Sequence, residues 1–117
     1  MTAEISFDDF AKVALCIGTV IRAEVNDGAR KPAYKLWVDL GEEQGVKQSS
    51  AQLTALYTPE TLVGKRVLCV TNFPPVRIAG FKSEILVTGF YDRDGRVVLA
   101  VPDPAYAADI ANGARLA

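Results

Sequence analysis

The stretch KRVLCVTNFPPVRIAGFKSE, residues 65–84, decides how this chain can fold. It begins with β-branched and apolar residues from Arg66 to Thr71, a composition that predicts a strand. Pro74 and Pro75 then remove two backbone donors and fix two φ angles, so the strand must end before them. Beyond the prolines the chain mixes cations, an aromatic ring and a glycine. The stretch therefore predicts a strand that leads into a stiff, basic turn.

The charge of this stretch suggests what the turn could bind. Between Lys65 and Ser83 there are four basic residues and no acidic one. Cations beside an aromatic ring suit single-stranded or looped nucleic acid. The alternative is a proline-stiffened connection with ordinary solvated cations, and composition alone favours that alternative. Residues 30–82 hold eight basic and four acidic side chains although the net charge of the chain is −1. This segregation permits a positive patch on a nearly neutral protein.

Three further strands are predicted before the stretch. The first runs from Val13 to Val25, and Gly18 in its interior permits a bulge or a sharp bend. The second, Tyr34 to Leu40, alternates apolar and polar residues, and the third covers Val46 to Ser50. We expect one or two helical turns from Ala51 to Tyr57, followed by a proline-led turn from Thr58 to Gly64. This places a helix between the third and fourth strands.

The two ends of the chain have different patterns. A short capped helix is predicted within residues 1–12, where Ser6 can accept at the N-cap. After the stretch we expect a strand from Ile85 to Tyr91 and a hairpin turn at Asp92–Gly95, with a returning strand up to Val101. The alanine-rich tail, residues 102–117, is expected on the surface or on a partner, at the interface of a dimer.

Together these elements predict an all-β fold. Five strands, a strong bend in the first and a helix between the third and fourth are typical of a five-stranded Greek-key OB-fold barrel. The length of 117 residues fits one domain, 1–117. Half of the residues are apolar, more than a small core can hide. We therefore expect an apolar face that is buried against a second copy.

Several classes of function are excluded or disfavoured by composition. The chain has no histidine, which removes Ser-His-Asp catalysis and the common zinc sites. Cys16 and Cys69 are expected to be small buried hydrophobes of a reducing compartment, with a disulfide as the alternative. No phosphate-binding glycine motif, signal peptide or membrane span is found in the sequence. The sequence predicts a cytoplasmic binding protein that does not insert into a membrane, has no cofactor and is not an enzyme.

Two polar or basic segments, residues 47–52 and 72–83, would be neighbours on the binding side of such a barrel. Arg77 and Lys82 would contact phosphates, and Phe81 or Phe73 would stack on an unpaired base. The alternative for the two phenylalanines is packing in the core or in an interface. The alternative for Ser49 and Ser50 is a structural role at a strand end or a helix cap. The candidate RNA-binding residues are Lys47, Ser49, Ser50, Gln52, Asn72, Arg77, Phe81, Lys82 and Ser83.

Three runs of residues closely resemble the bacterial CsaA family: Ile17–Val20, Val46–Gln52 and Asn72–Glu84. That family is part of a wider group of tRNA-binding OB domains, which includes the C-terminal domain of methionyl-tRNA synthetase. The resemblance extends from about Phe7 to the C-terminus. It implies a homodimeric, cytoplasmic OB-fold protein that binds tRNA. The family is also described as an export-related chaperone that binds unfolded or precursor polypeptide.

The motif of the wider group is only partly retained. Asn72, Pro75, Gly80 and Ser83 match it by position, and an arginine stands at position 77 where the motif has lysine. Residues 74 and 79 are proline and alanine, whereas relatives have basic residues there. The resemblance therefore implies a less basic binding loop than that of the synthetase-appended domains, with Lys82 as a replacement cation.

Polypeptide is the alternative ligand. It would lie in an apolar groove of the dimer, on a surface that could be the same as the tRNA surface, because an aromatic ring beside a cation suits both. A third hypothesis is an assembly factor whose dimer presents a surface to another protein. The sequence does not choose between tRNA and polypeptide. The candidate peptide-binding residues are Trp37, Phe73, Pro74, Ile78 and Phe81.

Overall fold

The computed structural model of the chain describes residues 2–117, so Met1 of the predicted N-terminal segment lies outside the described residues. Most of the regular structure is β-strand, with two short helices and one 3₁₀ turn at Ala107–Asp109. The elements in chain order are α1 (Phe7–Ala11), β1 (Leu15–Val25), β2 (Tyr34–Asp39), β3 (Val46–Ala51), α2 (Pro59–Leu62), β4 (Arg66–Val70), β5 (Val76–Ile78), β6 (Phe81–Ser83), β7 (Leu86–Val87), β8 (Gly89–Tyr91) and β9 (Val97–Leu99).

Five strands form an antiparallel sheet in the order β3-β2-β1-β4-β7. The two edge strands, β3 and β7, contact each other, which nearly closes the sheet into a barrel. α2 lies between β3 and β4, and the described N-terminal residues contain the predicted capped helix, α1. The predicted five-stranded OB-type barrel is therefore confirmed. Two small hairpins, β5–β6 and β8–β9, extend from the barrel.

The interior of the barrel contains the alternating apolar residues of β2. Leu36 and Val38 are fully buried, while Lys35 and Trp37, which alternate with them, face outward and are half-buried. The core is completed by apolar residues of β1, β4 and α2, among them Val20, Val67 and Leu62. Burial of these side chains drives the folding of the domain, each contributing about 1.5–3 kcal/mol relative to exposure.

The predicted irregularity of β1 is present, but it lies three residues after Gly18. Val20 pairs with Val38 and Arg22 with Trp37, so Ile21 is the extra residue of a bulge. Gly18 instead permits close packing of β1 against β2. A Cβ atom there would lie 2.5 Å from Cγ1 of Val38 and 2.9 Å from the carbonyl oxygen of Asp39. Only glycine allows β2 to approach this closely.

The helix between β3 and β4 occupies a different segment from the predicted one. Residues from Ala51 to Tyr57 form hydrogen-bonded turns, and the helix runs from Pro59 to Leu62, where the sequence predicted only a turn. Thr58 determines this start. Its side chain accepts a hydrogen bond from the backbone N–H of Thr61, and a proline suits the first helical position because it needs no N–H partner there.

The decisive stretch forms a strand, β4, as predicted, but the segment after the prolines is a hairpin and not a simple turn. β5 and β6 are joined by Ala79 and Gly80, both with positive φ, at 52° and 79°. Two consecutive residues with positive φ form a tight two-residue turn, whose twist matches that of the two strands it joins. The left-handed conformation is unfavourable for alanine by roughly 1–2 kcal/mol. The predicted strand from Ile85 to Tyr91 is likewise divided, into β7 and β8.

Both cysteines are buried and free, as expected for small hydrophobic residues. Cys16 of β1 and Cys69 of β4 are directly opposite each other in the sheet. Burial, with a smaller contribution from Cys16, raises the pKa of Cys69 to about 12. The Cys69 thiol is therefore protonated and unreactive at neutral pH.

The tail packs on its own barrel and remains at the surface. The guanidinium of Arg66 donates to the carbonyl oxygens of Ala107 and Ile110, at 2.7 and 2.5 Å. Further along, the backbone N–H of Leu116 donates to the carbonyl oxygen of Leu15. These bonds fasten the tail to β4 and β1 but leave Leu116 about half exposed.

Within residues 2–117, no helix has the length and apolar character needed to cross a membrane.

Candidate nucleic-acid interface

Four side chains form a cluster on the outer face of the barrel: Arg22, Lys35, Trp37 and Phe81. We call them the aromatic–cation cluster. The rings of Trp37 and Phe81 meet edge to face, with centroids 5.5 Å apart and planes at 78°. Cζ of Arg22 lies 4.4 Å from the Trp37 centroid, and Nζ of Lys35 lies 5.5 Å from the Phe81 centroid. Both distances are within the range of cation–π attraction.

The sequence of β2 explains half of this cluster. Lys35 and Trp37 alternate with core residues, so both point away from the barrel interior. The bulge in β1 explains the position of Arg22. If β1 paired with β2 without the bulge, Ile21 would lie opposite Trp37 and Arg22 would point to the other face of the sheet. The bulge therefore places a cation next to the indole ring.

Phe81 reaches the cluster because the β5–β6 hairpin is fastened to β3. The side-chain Nε2 of Gln48 donates to the carbonyl oxygen of Lys82 at 3.0 Å. The side-chain Oε1 of Gln48 accepts a hydrogen bond from Nε1 of Trp37 at 3.2 Å. The backbone N–H of Ser50 donates to Oγ of Ser83 at 3.0 Å. Gln48 thus connects the indole ring directly to the hairpin.

A carboxylate completes this attachment. Oε1 of Glu84 accepts from the backbone N–H of Gln48 at 3.2 Å, and the backbone N–H of Glu84 donates to the carbonyl oxygen of Gln48 at 2.7 Å. Nζ of Lys47 lies 3.8 Å from Oε2 of the same carboxylate. The hairpin is therefore held by both backbone and side-chain contacts, which orient Phe81 before any ligand arrives.

Charge around the cluster is mostly positive. Arg22 is paired with Glu24, and Lys47 is paired with Glu84. Among residues 2–117, Lys35, Arg77 and Lys82 form no ion pair. The guanidinium of Arg77 donates only to the carbonyl oxygen of Gly80, at 3.2 Å. These three cations remain available to an anionic ligand.

Most of the predicted RNA-binding residues lie at or next to the cluster. Phe81 is part of it, and Ser50 and Ser83 lie beside it, while Arg77 and Lys82 are register partners on the other face of the hairpin. Gln52 is exposed just beyond the end of β3. The predicted residues that the structure places on β3 or the hairpin next to the cluster are Lys47, Ser50, Arg77, Phe81, Lys82 and Ser83.

Ser49 and Asn72 lie apart from the others. Ser49 is 1% exposed and faces the core beside Leu36, which is its register partner. The side-chain amide of Asn72 donates to the carbonyl oxygen of Lys12 at 2.6 Å and accepts from the backbone N–H of Ala14 at 2.9 Å. In this conformation the amide of Asn72 fastens the segment between α1 and β1.

The predicted peptide-binding residues divide into two groups. Trp37 and Phe81 belong to the cluster, and Ile78 is the register partner of Phe81 in the hairpin. Phe73 and Pro74 are exposed in the connection between β4 and β5. An aromatic and aliphatic patch therefore coincides with part of the cationic surface.

Three contributors were missed at the level of sequence: Arg22, Lys35 and Gln48. The alternation of β2 already predicted that Lys35 faces outward with Trp37, and this signal could have identified it. Arg22 had no such signal, because a bulge cannot be located from apolar periodicity alone. Gln48 lay inside a predicted binding segment, but its role depends on contacts with residues distant in sequence.

Comparisons with known proteins show which family the chain resembles. Residues 15–109 match the family model described as “Putative tRNA binding domain”. The structure of the chaperone CsaA from Bacillus anthracis str. Ames is 47% identical, with a TM-score of 0.87 over 98% of this chain and 100% of that chain. The CsaA chaperone protein from Picrophilus torridus is 38% identical, with a TM-score of 0.88 over 97% and 100% of the two chains.

A curated relative, the methionine–tRNA ligase of Methanococcoides burtonii, is 38% identical over 99 residues. That match covers 85% of this chain but 14% of the ligase. The ligase of Methanocella arvoryzae is 37% identical over 101 residues and is covered to the same 14%. The likeness therefore concerns a small part of each ligase. The resemblance to CsaA proteins and to methionyl-tRNA synthetase, predicted from short runs of residues, is confirmed.

Proposed function

The chain belongs to the tRNA-binding domain family, and from this premise we propose that it binds tRNA through the aromatic–cation cluster and the β5–β6 hairpin. The observation that carries the proposal is the pair of rings, Trp37 and Phe81, flanked by Arg22 and Lys35. Aromatic rings stack on unpaired bases with about 1–3 kcal/mol per base, and cations beside them attract the phosphates. This combination recognises exposed bases in RNA loops or ends.

Each remaining residue of the proposed site has a chemical role. Arg77 and Lys82 contact phosphates, because both are exposed and form no ion pair within residues 2–117. Ser50, Ser83 and Gln52 offer hydrogen bonds to base edges or to 2′-hydroxyls. Lys47 acts through Glu84, which it pairs with. The role is one of binding without catalysis, in the cytoplasm.

Binding of unmodified tRNA to the double variant Arg77→Ala/Lys82→Ala tests this site. We expect weaker binding at low salt. The slope of the logarithm of the binding constant against the logarithm of the salt concentration should also be shallower by about two, because two phosphate contacts are lost. The matched control is Lys12→Ala/Arg93→Ala, which removes two exposed cations outside the site. Equal affinities of the parent and of the Arg77/Lys82 variant at low salt would show that the site is assigned wrongly.

We also propose that the protein acts as a homodimer. Exposed apolar side chains support self-association, notably Phe90 at 68% and Phe7 at 79% exposure. Phe90 and Leu116 line an apolar depression together with the tail, and Phe7 lines a neighbouring depression that also includes Leu116. Two copies would present two sites and gain avidity for one tRNA. Sedimentation at micromolar concentration tests this, and a monomer would contradict it.

A second candidate ligand is an unfolded or precursor polypeptide. Trp37, Phe81 and Ile78 support it, because they form an apolar patch that overlaps the cluster. The CsaA structures that match this chain are also described as chaperone proteins. Peptide held by apolar contacts should bind almost independently of salt, whereas tRNA binding should fall steeply as salt rises. A nuclease-treated pull-down from cytoplasm separates the two ligands.

A further inference from the structure

A cleft of about 770 Å³ opens where the barrel is incompletely closed, between the end of β3 and the β8–β9 hairpin. We call it the β3–β8 cleft. Its volume is in the range of sites that hold small ligands or single groups of larger ones. Lys31 of the β1–β2 loop, Ser50 and Gln52 line one side, and Tyr91 and Arg96 line the other. None of its lining residues is acidic.

The cleft adjoins the aromatic–cation cluster at Ser50. Ser50 lines the cleft and is the register partner of Lys35, whose ammonium lies over the Phe81 ring. Gln52, predicted to bind RNA, lines the cleft and not the cluster. A ligand strand that leaves the cluster past Ser50 therefore reaches a residue that lines the cleft.

The pairing of β8 with β9 determines on which side of the hairpin Tyr91 lies. Tyr91 is opposite Val97 and Gly89 is opposite Leu99, and both of these β9 residues pack toward the core. Tyr91 is on that same side of the hairpin, and the residue is 81% exposed. Phe90 and Val98 alternate to the other side, where the apolar depression of the tail lies. Tyr91 lines the cleft and neither apolar depression, whereas its neighbour Phe90 lines both the cleft and the depression of the tail.

The charges of the cleft suit a phosphate. Arg96 is neutralised by the turn carboxylates, with Nε 2.8 Å from Oδ2 of Asp92 and a second nitrogen 3.3 Å from Oδ2 of Asp94. These carboxylates are therefore occupied. Lys31 forms no ion pair within residues 2–117 and is the cation available to the ligand.

We infer that the β3–β8 cleft binds a further nucleotide of the single-stranded RNA that the cluster holds. Its base stacks on Tyr91, Gln52 hydrogen-bonds the base edge, and Lys31 contacts the phosphate. This inference rests on the proposed function and extends it along the RNA strand. The arguments for RNA as the occupant are the adjoining cluster and the combination of an exposed ring, a free cation and no lining carboxylate.

The test is a length series of 5′-fluorescein-labelled oligouridylates, of about four and about twelve nucleotides, measured by anisotropy at low salt. The parent should bind the longer probe more tightly. Tyr91→Ala should remove most of that gain, roughly tenfold, while Tyr91→Phe, which keeps the ring, retains it. Tyr106→Ala removes a tyrosine that is 66% exposed and lies outside the cleft, and it should change nothing.

The outcomes separate this inference from the proposed function. If Trp37→Ala weakens both probes but Tyr91→Ala keeps the full gain with length, the cleft is not a nucleotide site and the cluster still is. If Tyr91→Ala changes the sedimentation of the protein, the ring is covered by a second copy and the inference is wrong. If the parent binds neither probe nor tRNA, both proposals are overturned.

Discussion

The guanidinium carbon of Arg22 lies 4.4 Å from the centre of the Trp37 ring, because the bulge at Ile21 makes these two residues direct partners. A cation placed on one face of an indole leaves the opposite face and edges for other contacts. The Phe81 ring contacts the indole edge to face. The arrangement is a preformed platform, so binding need not order these side chains first, and less entropy is lost on association.

We expect Trp37→Ala to weaken tRNA binding by about 5- to 150-fold, the equivalent of losing one base–aromatic stack of about 1–3 kcal/mol. Trp37→Phe should retain much of the affinity. Anisotropy titration of labelled tRNA measures the effect, and thermal unfolding confirms that the variant is folded. Unchanged affinity for Trp37→Ala would mean that RNA does not reach the indole.

Asn72→Ala should destabilise the protein by about 1–3 kcal/mol without changing the affinity for tRNA. The substitution removes two hydrogen bonds, to the carbonyl oxygen of Lys12 and from the N–H of Ala14. Denaturant unfolding gives the free energy, and hydrogen exchange should show a less protected Ala14 amide. A large loss of tRNA affinity in a variant of normal stability would instead restore Asn72 to the RNA site.

Gly18→Ala should cost at least 1–3 kcal/mol in the free energy of unfolding, since the new Cβ would overlap Val38 and the backbone of Asp39. Gly95→Ala is the comparison. Its Cβ would meet open space, and only the positive φ of 81° opposes it, for about 1 kcal/mol. The penalty at position 18 should shrink in a Val38→Ala background, as a double-mutant cycle would measure. Equal penalties at positions 18 and 95 would contradict the close-packing argument.

Stability should fall as pH rises above about 9, because burial raises the pKa of the Cys69 thiol from 9.0 to about 12. Between those values the unfolded chain loses the thiol proton while the folded chain keeps it. The unfolded state therefore binds fewer protons, and the free energy of unfolding falls by roughly 1 kcal/mol per pH unit from this group. Below pH 9 the contribution is constant.

Urea unfolding from pH 8 to pH 11 measures that slope, and Cys69→Ala should flatten it relative to the parent. In the folded protein both thiols should also resist alkylation at pH 8, since Cys16 and Cys69 are buried. Rapid alkylation of Cys69 under native conditions would contradict the predicted protection.

Local patterns were enough to predict the strands that build the barrel. The alternation of β2 predicted which of its residues enter the core, and the double proline predicted where β4 must end. The helix between β3 and β4 was predicted in the wrong segment, because the Thr58–Pro59 start signal was interpreted as a turn. The β5–β6 hairpin was missed, since its tip has alanine at a position that requires positive φ, where asparagine or glycine would have signalled the turn.

The sequence by itself determined that the protein is an all-β binding domain of a recognisable family, without histidine and with a basic, proline-bounded segment after β4. Only the tertiary structure decided which of these residues share a surface. A strand’s inward and outward faces follow from neighbours in sequence, but the register between strands does not. The bulge at Ile21 and the attachment of the hairpin to Gln48 are non-local, and these two features bring Arg22 and Phe81 to Trp37. The register of β3 with β2 also places Ser49 opposite Leu36, in the core.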